Sequence, residues 1–152
     1  MAKDGTKTVV SNRKARHEFF LEAPVEAGLV LSGSEVKSLR QGNAHLQESF
    51  VDIRDGNVDL VGAHIAPYEM GGYANHEPRR RRRLLLNRGE IEKLRKGTEQ
   101  KGYTIVPLRI YFRKGRAKLE VALGKGKKLH DKRHSIAERE AKRRIDREMR
   151  DR

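Results

Sequence analysis

Apolar positions along this chain alternate with polar ones through most of residues 17–123 and recur every three or four residues in a few short stretches. That pattern predicts a mainly β protein with peripheral helices. Residues 1–11 carry no period and read as a mobile N-terminus. The stretch HEFFLEAPVEAGLVLS (17–32) is apolar and β-favouring on either side of a break at residues 24–28, which predicts two strands joined by a short turn. A short helix should follow, capped by Ser34, with Val36 and Leu39 on its apolar face and Gly42 at its end. In SFVDIRDGNVDLV (49–61), Asp55-Gly56 between two β-rich runs predicts a hairpin, because glycine tolerates the positive φ of a tight turn.

Residues 67–78 hold Pro, paired Gly and Asn and read as a surface loop, followed by five consecutive arginines (79–83) and three leucines (84–86). Asn87 and Glu90 form a capping box for a second helix with Ile91 and Leu94 facing inward, closed by Gly102. Residues 103–112 and 116–123 flank Lys114-Gly115 as a second hairpin, with Pro107 marking an edge or a bulge. Six short strands linked by hairpins and interrupted by two helices predict an OB-fold-like antiparallel six-stranded barrel spanning residues 12–124.

The C-terminal stretch differs. Residues 125–152 carry twelve Lys and Arg against six Asp and Glu, with no aromatic residue and no proline. Its large apolar side chains are Leu129, Ile136, Ile145 and Met149, too few to offset the ordering entropy, so it reads as a basic tail, disordered when free. Ala137, Ala141, Ile145 and Met149 recur every four residues, and Glu138–Lys142 and Glu140–Arg144 are favourable i,i+4 pairs. A helix over residues 134–152 would run about 28 Å. The reading is a tail that folds, partly as helix, on a binding surface.

Charge turns this outline toward function. The chain has 152 residues and a formal net charge of +14, with 37% charged residues, which calls for a polyanionic partner. A nucleic acid and an anionic membrane surface both answer; the absence of any apolar stretch approaching 18 residues disfavours the membrane and points to the cytoplasm. No cysteine is present, which excludes disulfides, cysteine zinc sites and thiol nucleophiles. His17, His45, His64, His76, His130 and His134 form no metal-binding spacing, and GKGKK (124–128) lacks the phosphate-loop spacing. Asp52, Asp55 and Asp59 surround a turn, where Asp bonds locally rather than doing acid–base work. No catalytic residue, metal or cofactor is expected.

Two basic clusters remain as candidate phosphate sites: Asn12, Arg13, Lys14, Arg16 and His17 before the first strand, and the arginine run, whose guanidinium forks match phosphate oxygens. Aromatic residues are few, so structured RNA read through its shape and backbone suits the chain better than a stacking platform for single strands.

In order along the chain, NRKARHEFF (12–20), VEAGLVLSGSEVKSLRQGNAHL (25–46), SFVDIRDGNV (49–58), HIAPYE (64–69), HEPRRRRRLLLN (76–87) and VPLRIYFRKGRAKLEVALGKGKKLHDKR (106–133) resemble the small protein B family, the bacterial tmRNA-binding proteins. The resemblance implies an OB-type barrel that binds the tRNA-like domain of tmRNA as a monomer. It also implies delivery of alanyl-tmRNA, with elongation factor Tu and GTP, to stalled ribosomes, where the tail enters the decoding centre and the empty mRNA channel. The tmRNA-binding set is then Asn12, Arg13, Lys14, Arg16, Glu26, Lys37, Arg40, Arg80, Arg82, Arg83, Leu85, Lys125, Lys127 and Lys128. The set facing the ribosome is His130, Asp131, Lys132, Arg133, Ile145 and Met149. Arg79 and Arg81 stand where the family is usually not basic. A structural ribosomal protein with a basic extension and an RNA-processing enzyme are the competing classes.

Overall fold

The structure, a computed structural model, describes residues 6–150, with the side chains of Leu129, His130, Asp131 and Ser135 outside that description. Along the chain run β1 (Thr6–Ser11), α1 (Ala15–Glu18), β2 (Phe19–Leu29), α2 (Gly33–Arg40), β3 (Ala44–His45) and β4 (Phe50–Arg54). Then come β5 (Asn57–Val61), β6 (His64–Ile65), β7 (Arg82–Leu85), α3 (Arg88–Thr98), β8 (Tyr103–Arg113), β9 (Arg116–Gly126) and α4 (Leu129–Arg150). Seven strands form one sheet in the order β1-β8-β9-β2-β7-β5-β4, and β3 pairs with β6 in a second, small sheet. Each of these pairs is antiparallel. The large sheet curls until β4 lies against β8 without pairing to it, so the barrel closes along that seam by side-chain packing. Leu39, Leu60, Ile65, Leu94, Ile110, Leu119 and Val121 fill its interior with almost no exposed surface.

The mainly β, antiparallel architecture is the one expected, with nine strands among the described residues rather than six. Both predicted hairpins form. Asp55 and Gly56 take φ of 53° and 78°, and Lys114 and Gly115 take 51° and 77°. Positive φ at both central residues is the turn whose twist matches that of paired strands. The Asn87 box also forms: Asn87 Oδ1 accepts from the Glu90 amide at 2.8 Å, and Glu90 Oε1 accepts from the Asn87 amide at 3.2 Å.

Four expectations are corrected. Within the unpatterned N-terminus, Thr6–Ser11 is a strand paired with β8, fixed by its partner and by buried Val10 rather than by its own alternation; residues 1–5 lie outside the described residues. Residues 19–29 form one strand, not two. The break at Pro24 is a bulge between Glu22 and Val25, with Ala23 at φ 53°, and because both halves pair with β9 the chain bends without reversing. The cap of α2 is Ser32, whose amide donates to Glu35 Oε1 at 2.9 Å, while Ser34 Oγ meets His76 Nδ1 at 2.8 Å.

The tail begins later than Lys125, since Lys125 and Gly126 complete β9 opposite Phe20 and Phe19. Leu129–Arg150 then forms the 22-residue helix α4. The Lys127 amide donates to the Glu18 carbonyl at 2.8 Å, which fixes the direction in which the chain leaves the barrel. The helix contacts α1 and is also supported locally, as in the His134–Glu138 pair at 3.2 Å. Ile136, Ile145 and Met149 remain exposed.

Candidate nucleic-acid interface

Side chains alternate across a strand, and the arginine run obeys that rule. Arg82 and Leu84 are buried, while Arg83 and Leu85 are exposed on the outer face. The inward Arg82 pairs with the carboxylate of Glu35, which is equally buried, and donates to the carbonyls of Ala63 at 2.8 Å and Pro78 at 3.0 Å. Arg80 adds a bond to Glu35 Oε1 at 2.6 Å. Burial alone would raise the Glu35 pKa, but hydrogen bonds from Arg80, the Ser32 amide and Arg82 outweigh it and hold it at about 2. Arg82, assigned above to RNA, therefore faces the protein interior. A guanidinium with no exposed surface offers nothing to a phosphate.

On the outer face the arginines are also paired. Asp59 accepts from Arg83 Nε at 2.7 Å and from Arg81 Nε at 2.8 Å, and Arg81 reaches on to Asp52. Burial tends to raise the Asp59 pKa, yet the two arginines hold it below the usual carboxylate range. Arg79 donates to the Gly62 carbonyl at 2.9 Å. The run is thus half neutralised by the protein itself, and its attraction for phosphate is weaker than its composition suggests.

The register shows what surrounds Leu85, which is 61% exposed. It stands opposite Gly28 on β2, where an added Cβ would come 3.2 Å from the Leu85 Cβ, so glycine there leaves room for the leucine. Two residues back on the same face is Glu26, opposite Glu120, and Gly28 also faces Lys118 on β9. Lys118 in turn faces Tyr111 on β8. Glu26 accepts from the Tyr111 hydroxyl and from Arg113 Nη1 at 2.9 Å. Burial and this bond push the Tyr111 phenol above its ordinary pKa. Glu26 opens into a cleft of about 580 Å³ lined otherwise by Arg113, Lys114, Arg116 and Lys118. The carboxylate of Glu26 thus sits in a positive setting, with four cations around it. The Arg40 guanidinium covers the Phe112 ring at 4.3 Å and reaches Gly115, at the tip of the same hairpin.

Other assigned residues lie elsewhere. Arg16, Lys125 and Lys127 gather where β2 begins and β9 ends, and Lys127 Nζ donates to the Arg16 carbonyl at 2.9 Å. Asn12 Nδ2 donates to the Pro107 carbonyl at 2.9 Å, securing the bulge of β8, and Asn12 and Lys14 both border a groove beside Gln47 and Ser49. Arg13 lines another with Thr8 and His45. Lys37 stands over the Tyr68 ring at 5.4 Å. Lys128 is exposed just before α4; Lys132, Arg133, Ile145 and Met149 lie along that helix, and the side chains of His130 and Asp131 lie outside the described residues.

The sequence reading missed Arg113, Lys114, Arg116 and Lys118. Their signal was present in the alternation of Arg116 and Lys118 with Ala117 and Leu119. Among the described residues no group of His, Asp and Glu could hold a metal ion, and no helix is long and apolar enough to cross a membrane.

A family model described as SmpB protein matches residues 9–151. The chain belongs to the SmpB family. The SsrA-binding protein of Desulforudis audaxviator is 55% identical over 150 residues, covering 99% of this chain and 98% of that one. The SsrA-binding protein of Thermobifida fusca is 56% identical, covering 96% and 91%. A solved structure described as "tmRNA-SmpB: a journey to the center of the bacterial ribosome" aligns with a TM-score of 0.67 at 48% identity, over 78% of this chain and 84% of that one.

Proposed function

We propose that the chain binds the tRNA-like domain of a tmRNA through the outer face that carries Glu26, Leu85 and the Arg113–Lys118 hairpin. The observation carrying this reading is the exposed Leu85 beside a cleft in which one carboxylate sits among four cations. That pairing suits an RNA elbow: cations meet phosphates, and the apolar and carboxylate groups meet bases. The names of the SsrA-binding relatives support it. The SmpB family is one of RNA-binding proteins, not enzymes.

As a monomer, the protein then brings alanyl-tmRNA, with elongation factor Tu and GTP, to stalled ribosomes in the cytoplasm. Lys132, Arg133 and their neighbours meet the decoding centre, and Ile145 and Met149 fold against the mRNA channel. Sequencing the RNA that co-purifies under native conditions tests the partner; a ribosomal RNA without tmRNA overturns it.

Salt titration of binding to a tRNA-like-domain transcript separates the contributions. Leu85→Ala should weaken binding about tenfold at every salt concentration. Lys118→Ala should flatten the plot of log K against log salt by about 0.7–0.9, the value for one phosphate contact. Arg81→Ala should change the slope less, because Asp52 and Asp59 already engage that guanidinium. A full-unit change for Arg81 and none for Lys118 would reverse the assignment.

A further inference from the structure

The two carboxylate oxygens of Glu26 are in different states. Oε2 accepts from the Tyr111 hydroxyl and from Arg113 Nη1, the latter at 2.9 Å, and among the described residues no hydrogen bond reaches Oε1. The side chain is 33% exposed and opens into the cleft of Arg113, Lys114, Arg116 and Lys118. Glu120, which faces Glu26 across the β2–β9 ladder, is engaged by a different arginine, pairing with Arg109 at 3.4 Å.

The reach of Tyr111 is long for a strand side chain. It belongs to β8, and β9 lies between β8 and β2. At the usual strand spacing the two backbones stand about 10 Å apart, so the hydroxyl meets Glu26 by the ring leaning across β9. Arg109 holds it there. The guanidinium covers the ring at 4.3 Å and is itself fixed by Thr8 Oγ1 on β1 at 2.8 Å and by Glu120. The tyrosine is left 3% exposed. Burial and the bond to Glu26 keep the phenol protonated, so it remains a donor.

We propose that Tyr111 is a positioning residue for RNA recognition: with Arg113 it holds Oε2 of Glu26 and leaves Oε1 turned outward as the acceptor for one hydrogen-bond donor of the RNA. The inference rests on the RNA-binding reading above and adds to it how the carboxylate is set. An ionised phosphate has no donor to give, so Glu26 and the cations around it engage different parts of the RNA. The donors an RNA offers are the exocyclic amino groups of its bases and its 2′-hydroxyls. The same geometry makes glutamine a poor replacement for Glu26. Arg113 can only donate, so an amide at position 26 would keep its oxygen toward Arg113 and Tyr111 and present its NH2 group to the RNA.

The affinity of full-length variants for the tRNA-like-domain transcript tests this as a double-mutant cycle. Tyr111→Phe keeps the ring and removes the donor, and should lose roughly three- to tenfold. In a Glu26→Ala background the same substitution should change affinity by less than about twofold, whereas a merely structural role for Tyr111 would cost the same in both. Glu26→Gln should lose as much as Glu26→Ala. Transcripts lacking single base amino groups or single 2′-hydroxyls tell the two donors apart: the deletion that weakens the parent and leaves Glu26→Ala unchanged marks the group that Oε1 accepts from. Equal losses from Tyr111→Phe in both backgrounds, loss in neither, parent-like binding by Glu26→Gln, or no such deletion in the RNA would each overturn the positioning role alone. A parent chain that does not bind the transcript, or a Glu26→Ala variant that binds like the parent, overturns the RNA face of the preceding subsection and the positioning role with it.

Discussion

Glu35→Ala should lower stability by about 3–5 kcal/mol, the cost of leaving a buried charge without its partner. Denaturant titration at neutral pH would show it as a fall in the midpoint at unchanged slope. Among the described residues Glu35 is the carboxylate that pairs with Arg82 in the interior, and the Ala63 and Pro78 carbonyls cannot neutralise that guanidinium. The double variant Glu35→Leu with Arg82→Met removes both charges at similar volume and should recover most of the loss, because exchanging a buried pair for apolar side chains is often neutral. The folded-state pKa of Glu35 is lowered from 4.5 to about 2, so its contribution is complete above pH 4.5 and lost as pH falls toward 2. The gap between parent and Glu35→Ala should narrow across that window. A gap that stays constant from pH 7 to pH 2 would show that Glu35 is not held as the anion.

Deleting residues 130–152 should leave affinity for the tRNA-like-domain transcript within a few-fold, yet abolish tagging of stalled peptides in a reconstituted translation system. The proposed RNA face lies on β2, β7, β8 and β9, and the principal contact of α4 with the body is α1. Most of the described side chains of α4 are exposed, so its removal uncovers little of the core. A large loss of RNA binding would show that the two surfaces are one.

How much of this could be read from the chain depends on the range of the interactions. The Asp55-Gly56 and Lys114-Gly115 turns and the Asn87–Glu90 cap are decided within four residues, by positive φ and local hydrogen bonds, and all three were legible. Pro107 signalled an edge or a bulge, and pairing of β8 with both β1 and β9 decides for the bulge. The strand at Thr6–Ser11 was not legible, since its register comes from β8, about a hundred residues away. At Pro24 the local signal for a break was correct, but only pairing with β9 decides between a turn and a bulge.

The site divides in the same way. Glu26 and Leu85 came from the family resemblance, and the structure brings them to one face. The burial of Arg82 could not be read locally, because charge is taken as a sign of exposure and the partner that reverses this lies on α2, 47 residues earlier. The cations around Glu26 lay in plain view as an alternating pattern, but a period of two does not say which face of a strand meets solvent.

The arginine run also predicts how the chain will tolerate genetic change. A saturation library across residues 80–83 should sort by parity. Substitutions at Arg82, and to a lesser degree Arg80, should reduce the amount of protein a cell accumulates, since their partner is the buried Glu35. Substitutions at Arg81 and Arg83 should leave abundance nearly intact and register only when ribosome rescue is demanded. Four identical residues thus carry two separate kinds of constraint, and a selection for yield would see Arg80 and Arg82 while a selection for rescue would see Arg81 and Arg83.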